Sequence, residues 1–332
     1  RFVARGNHAF GLDPADRSYD RGDNLDLGTL RARLFANATY GTLTSQIMLQ
    51  YVALNGAFGG NQLTDGAMGV HVAFAKWQAM QEIAIQAGRF EMGYGAHRVL
   101  GTVGYHQVGR SWDGLRIQTK PNPNIGFDAF LTKYNNTMTP EGNLFDGDSF
   151  LSGFYGTWKQ NLGGTMVFAD LYGLHDVQYR EDGEGVQRGL GVIGARGKGV
   201  FGFGLDLEVE GAFQPGTQCN RNTDPMSDGE CIDGSVDVAA YFVDGELGFG
   251  MIAPTVRGFL GFSIASGDDP DTEENEAYTH MYPTAHKFLG RMDFIGARTN
   301  VQEIRAGVKA KRGIVKGALV YHDFTQLQPE SE

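Results

Sequence analysis

The sequence predicts an all-β fold: an up-and-down antiparallel transmembrane β-barrel with about fifteen strands in this chain. Three observations predict it. Apolar and polar residues alternate with period two through most of the 332 residues, as they do in strands whose two faces meet different surroundings. The alternating runs reach about ten residues, against about five or six for strands of soluble domains. The connections alternate strictly between tight and long, as in a barrel with turns at one rim and loops at the other.

Taken in order, a first strand near 2–10 is followed by a long polar loop, 11–24. Strands near 28–39 and 42–54 join at Tyr40-Gly41, where Leu30, Ala32, Leu34, Ala36 and Ala38 interleave with Arg31, Arg33, Asn37 and Thr39. After a long loop, 55–66, come strands near 67–77 and 80–90. The later connections are expected to be long at 91–110, 135–148, 177–186, 214–234 and 265–300. They are expected to be short near 120–123, 160–163, 197–199, 245–248 and 311–313. Trp77, Trp158 and Tyr40 lie close to short turns and Trp112 follows a long loop, positions that suit a membrane interface. One domain, 1–332, accounts for the whole pattern. An even strand count is the rule for such barrels, so closing strands are expected beyond QLQPESE (326–332), for a total of about sixteen, or eighteen.

Composition narrows the function. With 28 Lys+Arg against 39 Asp+Glu the net charge is -11, which excludes nucleic-acid binding through general basicity. No run of eighteen apolar residues suits a membrane-crossing helix. The chain opens on an Arg and is expected to be processed, so a missing signal is not evidence for the cytoplasm. Gly189-Leu190-Gly191-Val192-Ile193-Gly194 matches G-x-G-x-x-G, with Glu208 and Glu210 following at the distance of a ribose-binding acid. The next residues, Ala-Arg-Gly-Lys-Gly, cannot open a helix, so no helix N-terminus waits for a pyrophosphate. These glycines suit a twisted strand with close neighbours.

A Lys or Arg facing the bilayer midplane costs about 2–4 kcal/mol, so the charged partners in each alternation are expected to face a hydrated lumen. That assigns Arg31, Arg33, Asp206, Glu208, Glu210, Glu303, Arg305 and Lys309 to the pore lining, with Asp128, Asp170, His71 and His322 also inward. Arg98, Arg110 and Asp113 flank or belong to the loop 91–110, and build a constriction if it folds inward; the alternative is an Arg–Asp network at the rim. Cys219 and Cys231 close a loop as a disulfide, or stand as separate thiols. No catalytic triad, metal site or cofactor is assigned. His280 and His286 are expected to be ordinary loop histidines, and the acidic run 266–276 a solvated loop rather than a calcium site.

The stretch GRFEMGYGAHRVLGTVGYHQVGRSWDGLRI (88–117) resembles the signature of the alginate-export family of outer-membrane barrels. Gly88, Arg89, Gly95, Arg98, Asp113, Gly114 and Arg116 match, while Phe90 replaces the usual Gln. Ser266-Gly267-Asp268, HMYPTAHKFLGRMD (280–293), Asn300, LEVEGAFQPG (207–216) and YHDF (321–324) are similar to later family blocks. The resemblance implies an arginine-rich lumen at Arg31, Arg33, Arg89, Arg116, Arg257, Arg305 and Lys309. It implies a bacterial outer-membrane channel, not an enzyme, that passes a hydrophilic, saccharide-like or anionic solute by diffusion. Its partners would be membrane lipid, the solute and periplasmic export machinery. A general nutrient porin and an adhesive barrel with a plugged lumen are the alternatives.

Overall fold

The computed structural model describes residues 2–9, 25–55, 64–106, 108–134, 149–179, 186–219, 234–251, 255–290 and 297–328. They form one antiparallel sheet of fifteen strands whose spatial order is the order in sequence. The strands are β1 (Phe2–Ala9), β2 (Leu25–Tyr40), β3 (Leu43–Asn55), β4 (Thr64–Gln78) and β5 (Ile83–Phe90). Then come β6 (Trp112–Asn122), β7 (Ile125–Tyr134), β8 (Ser149–Leu162), β9 (Thr165–Tyr179) and β10 (Val186–Val200). The last five are β11 (Leu205–Cys219), β12 (Ser235–Met251), β13 (Thr255–Ala265), β14 (Val301–Arg312) and β15 (Val315–Gln326). Gly41, Gly163 and Gly313 hold the tight turns at φ 58°, a conformation open to glycine at little cost.

Alternation sorts the faces. On β11, Leu207, Val209 and Phe213 stand exposed while Glu210, Ala212, Gln214 and Gln218 are buried. Leu171, Ile193, Leu260 and Ile304 continue the exposed apolar wall on β9, β10, β13 and β14. Such a surface is stable against hydrocarbon, and a sheet meets hydrocarbon only if its backbone groups are paired strand to strand. Tyr40 and Trp77 stand exposed beside tight turns, as an interface belt requires. Trp112, by contrast, is fully buried and faces inward, edge-on to Tyr282 at 4.7 Å.

The core lies inside the curled sheet. Phe90, Met92, Val99, Leu100 and Trp112 pack with Tyr278, Met281 and Tyr282 against Leu151, Leu190, Val192 and Phe242 of the inner wall. Two connections, 91–111 and 266–300, supply the packing from within.

Two expected turns move. The strand through 197–199 runs on to Val200, and β12 passes straight through 245–248 to Met251. The glycines there serve close packing instead: a Cβ on Gly245 would strike the Phe262 ring, and one on Gly248 the Arg257 guanidinium. Gly194 of the dinucleotide-like stretch has the same role, because a Cβ there would strike the Tyr172 ring. The loop expected from 214 starts later, since β11 continues to Cys219.

Ile193, 66% exposed on the outer wall, provides a test. Ile193→Arg is expected to cost about 2–4 kcal/mol if it lies near the midplane, read as a lowered urea midpoint in lipid vesicles. Thr217→Arg, on the same face toward the loop rim, should cost about 1 kcal/mol or less.

Candidate functional site

The strand register sets charges side by side on the inner wall. Asp170 pairs with Arg196, Arg196 with Glu210 and Glu210 with Asp244, on four successive strands. One step toward the turns, Lys198 opposes Glu208 and Glu208 opposes Glu246. Arg196 reaches Asp170 at 2.7 Å and Lys198 reaches Glu208 at 3.0 Å. Arg257 bridges Asp206 and Glu246, and Arg305 contacts both Asp244 and Glu303 at 2.9 Å. Arg257 and Arg305 can lie flat along the wall because Gly248 and Gly261 leave room beneath them.

The connection 91–111 crosses this interior. At one end, Arg98 Nη1 donates to Glu208 at 2.7 Å and Glu210 at 2.9 Å, while Nη2 lies 2.8 Å from Asp244. Burial opposes the charge on Arg98, but Asp244, Glu210 and Glu208 outweigh it, and its pKa is raised. At the other end, Arg31 donates to the carbonyls of His106 at 2.6 Å and Gly104 at 3.1 Å. Arg33 donates to Gln50 at 2.7 Å and to the Val108 carbonyl. The loop therefore spans from β2 to β11 and β12.

The connection 266–300 joins it edge to edge. Gly101 N donates to Tyr282 O, Tyr282 N to Val99 O and Thr284 N to His97 O. Arg110 reinforces the seam by donating to the carbonyls of Gly101, Tyr282 and Pro283. Tyr282 Oη donates to Asp176 on β9 at 2.6 Å, and Arg298 lies 3.4 Å from Asp244. Burial pushes His280 down to about 3, aided by Arg298 and Arg110, so it is neutral. Its Nδ1 accepts from the Arg298 amide at 2.9 Å.

The opposite wall has fewer carboxylates. His71 meets Glu91 at 2.8 Å, with Arg33 at 3.6 Å. The His71 hydrogen bond, with help from Arg33 and Arg31, lowers the Glu91 pKa against the opposing effect of burial. Arg116 donates to Gln86 at 2.6 Å and stands 3.8 Å from Asp128, which accepts from Tyr94 at 2.7 Å. Tyr94, Tyr155 and Tyr172 form a stack with centroids 4.6 and 5.4 Å apart, linking the two walls.

Arg31, Arg33, Arg116, Asp206, Glu208, Glu210, Arg257, Glu303, Arg305 and Lys309 all take the inward parity of their strands, as do Asp128, Asp170, His71 and His322. Two residues do not. Arg89 and Asp113 oppose each other on β5 and β6 with their side chains on the outer face, joined at 2.8 Å. Arg89 thus leaves the pore lining and Asp113 the constriction, because inward positions on these strands fall to Gln86, Gly88 and Phe90 and to Trp112, Gly114 and Arg116. Of the three loop residues singled out, Arg98 reaches the wall, while Arg110 is spent on the seam between loops. Cys219 is disulfide-bonded; Cys231 lies outside the described residues. In the acidic run, Asp268 and Asp269 accept from amides of their own loop.

Sequence reasoning missed Asp244, Glu246, Arg196 and Arg298. Alternation would have found Asp244 and Glu246 had no turn been placed at 245–248. Arg298 carries no such signal, being a loop residue placed by tertiary contact.

A sequence profile described as "Alginate export" matches residues 67–326. No curated protein matches the sequence. Among solved structures, the chain is similar to OpdL of Pseudomonas aeruginosa, at 10% identity and a TM-score of 0.49, covering 98% of this chain and 91% of that one. A BenF-like porin from Pseudomonas fluorescens Pf-5 is similar at 10% identity and a TM-score of 0.48, covering 97% and 91%. OccK9 (OpdG) of Pseudomonas aeruginosa has 9% identity and a TM-score of 0.49, covering 98% and 93%.

Removing one partner of a buried ion pair costs about 3–5 kcal/mol. Arg98→Gln is therefore expected to lower the unfolding midpoint and to expose 91–111 to protease in otherwise folded barrels. Unchanged protection would mean that the seam to 266–300 holds the loop unaided. Because the Glu91 pKa is depressed, its contribution is complete above the ordinary glutamate range and fades as pH falls through the lowered value. Glu91→Gln should thus flatten the loss of loop protection measured by hydrogen exchange as the protein is acidified below about pH 4.

Proposed function

The chain belongs to the alginate-export family, and on that premise we propose that it passes a hydrophilic, anionic saccharide-like solute across the bacterial outer membrane by diffusion. The fold is that of an outer-membrane β-barrel channel, and the protein lies in that membrane. The observation that supports the solute class is the uneven distribution of charge around the interior. Among the described residues of β2–β7 and the adjoining loop start, Arg31, Arg33, Lys76 and Arg116 face Glu91 and Asp128. From β9 to β15 the wall carries more carboxylates, Glu210 beside Asp244 and Glu208 beside Glu246, balanced by arginines and lysines of the same strands and by Arg98 and Arg298 of the loops.

A uronate-type chain would keep its carboxylates toward the first wall. Its hydroxyls would meet the carboxylates and amides of the second. Each contact is weak because the wall charges named above already have protein neighbours, and selectivity arises from the local field along the route. Repeated weak binding permits entry without trapping. No reaction and no cofactor is ascribed to the chain. For a secreted polymer, synthesis machinery on the periplasmic side would supply the driving force, with membrane lipid the other partner.

The near-neutral pairing on β9–β15 favours a second reading, a general porin of low selectivity. The loops that cross the interior favour a third, an adhesive barrel with little conduction.

Single-channel recording in planar bilayers discriminates these readings. On the leading one, uronate oligosaccharides block the current at concentrations several-fold lower than neutral ones, and Arg116→Glu removes most of the difference. Equal block by both sugars would favour the general porin, and negligible conductance the plugged barrel.

A further inference from the structure

The inward lysines crowd one end of the barrel. On β4, β6, β8 and β10 they are Lys76, Lys120, Lys159 and Lys198, each close to the short turn that ends its strand. Strand alternation puts them on the same face as Gln118, Tyr155 and Arg196. On the last three strands the cations meet directly. Arg257 opposes Lys309 across β13 and β14, and Lys311 opposes Lys316 across β14 and β15.

Like charges set directly opposite repel, and little at that end offsets them. Arg257 engages both nearby carboxylates, Asp206 at 2.7 Å and Glu246 at 2.8 Å, so Lys309 reaches Glu246 only at 3.8 Å. Lys120 and Lys159 stand exposed and form no ion pair with a described residue. The other rim has the opposite sign. There, beyond the start of β12, Asn275 bridges to Val238, and Asp268, Asp271, Glu273 and Glu274 of the same loop stand exposed. The chain as a whole carries a charge of -11, so the cationic mouth runs against its overall balance.

A mouth lined by one sign of charge, with low-dielectric walls around it, focuses the field and concentrates the opposite ion. Lysine suits capture without trapping: it is a hydrated point charge on a flexible stem, not a rigid fork that clamps a carboxylate from two sides. In an outer-membrane barrel the short turns face the periplasm and the long loops the exterior.

We propose that the turn-side mouth is a capture site for a polyanionic chain arriving from the periplasm, densest at Arg257, Lys309, Lys311 and Lys316. The axial field draws carboxylates in at this rim, and the acidic loop at the other rim opposes entry from outside. The inference rests on the anionic-solute reading above and adds to it the end at which the solute enters.

A uronate oligosaccharide is the probe. Added to each chamber in turn over single channels, it is expected to block at several-fold lower concentration from one side. The combined variant Lys309→Gln, Lys311→Gln, Lys316→Gln alters only exposed positions, so it should fold. It should abolish the difference by weakening block from the better side alone. Calorimetric titration of the detergent-purified barrel needs no conduction. In it the combined variant should bind the oligosaccharide several-fold more weakly than the unaltered barrel, with the gap closing as salt is raised. Equal block from both sides, or unchanged binding by the variant, would overturn the proposal. If the uronate then still blocked better than a neutral sugar, the proposed function would stand and only the capture site would fall. If solute charge made no difference from either side, both would fall.

Discussion

The interior is organised around one carboxylate. Asp244, with no exposed surface, receives guanidinium groups from three separate parts of the chain: Arg98 from the first loop, Arg298 from the second and Arg305 from β14. Removed from water, a carboxylate loses hydration that only close, well-aligned cations can replace. Asp244 therefore demands those arginines, and the two that come from loops draw their loops into the barrel. The apolar packing of Trp112, Tyr278 and Tyr282 then excludes water around the same contacts. That strengthens each ion pair and raises the cost of breaking it. Charge pairing and core packing hold each other in place.

How much of this was legible in the sequence depends on which face a residue occupies. Strands such as β2 and β11 could be read correctly because lipid outside and charge inside impose a strict alternation, and a one-residue slip would put every arginine in hydrocarbon. The glycine-rich stretches were harder. Gly245 and Gly248 read as a turn, yet the chain stays extended because neighbouring side chains lie across the bare backbone. Glycine marks close approach as readily as it marks reversal, and local sequence does not separate the two. The loop arginines were harder still, since Arg98 finds its partners more than a hundred residues away.

The outward placement of Arg89 and Asp113 follows from the same constraint. Near the loop rim the outer wall leaves the hydrocarbon, and the cost of charge falls to about 0–1 kcal/mol. The register carries the row onward to Lys133 and then to Phe150, whose ring sits 5.7 Å from the Lys133 ammonium. Below it, Leu115 and Leu131 stand exposed. Polar above and apolar below, this row traces where the membrane core ends on that side. Family motifs around Arg89 and Asp113 thus combine an element of the outer rim with one of the inner wall, Arg116, three residues further on.

Arg116 also bears on how a channel so filled with its own side chains could still bind a solute. Arg31 and Arg33 donate to loop carbonyls, so an anion approaching them must compete with bonds that hold the loop. Arg116 is committed differently: Nη2 goes to Gln86, its contact with Asp128 is long at 3.8 Å, and Nε has no hydrogen-bond partner among the described residues. It also lies over the Phe90 ring, which fixes the guanidinium plane without using up its donors. A cation held by stacking and one long ion pair keeps attraction for a passing carboxylate. On the proposed reading, the strongest contact with an anionic solute would lie on β6, and the ion-paired wall opposite would act as a guide rather than a trap.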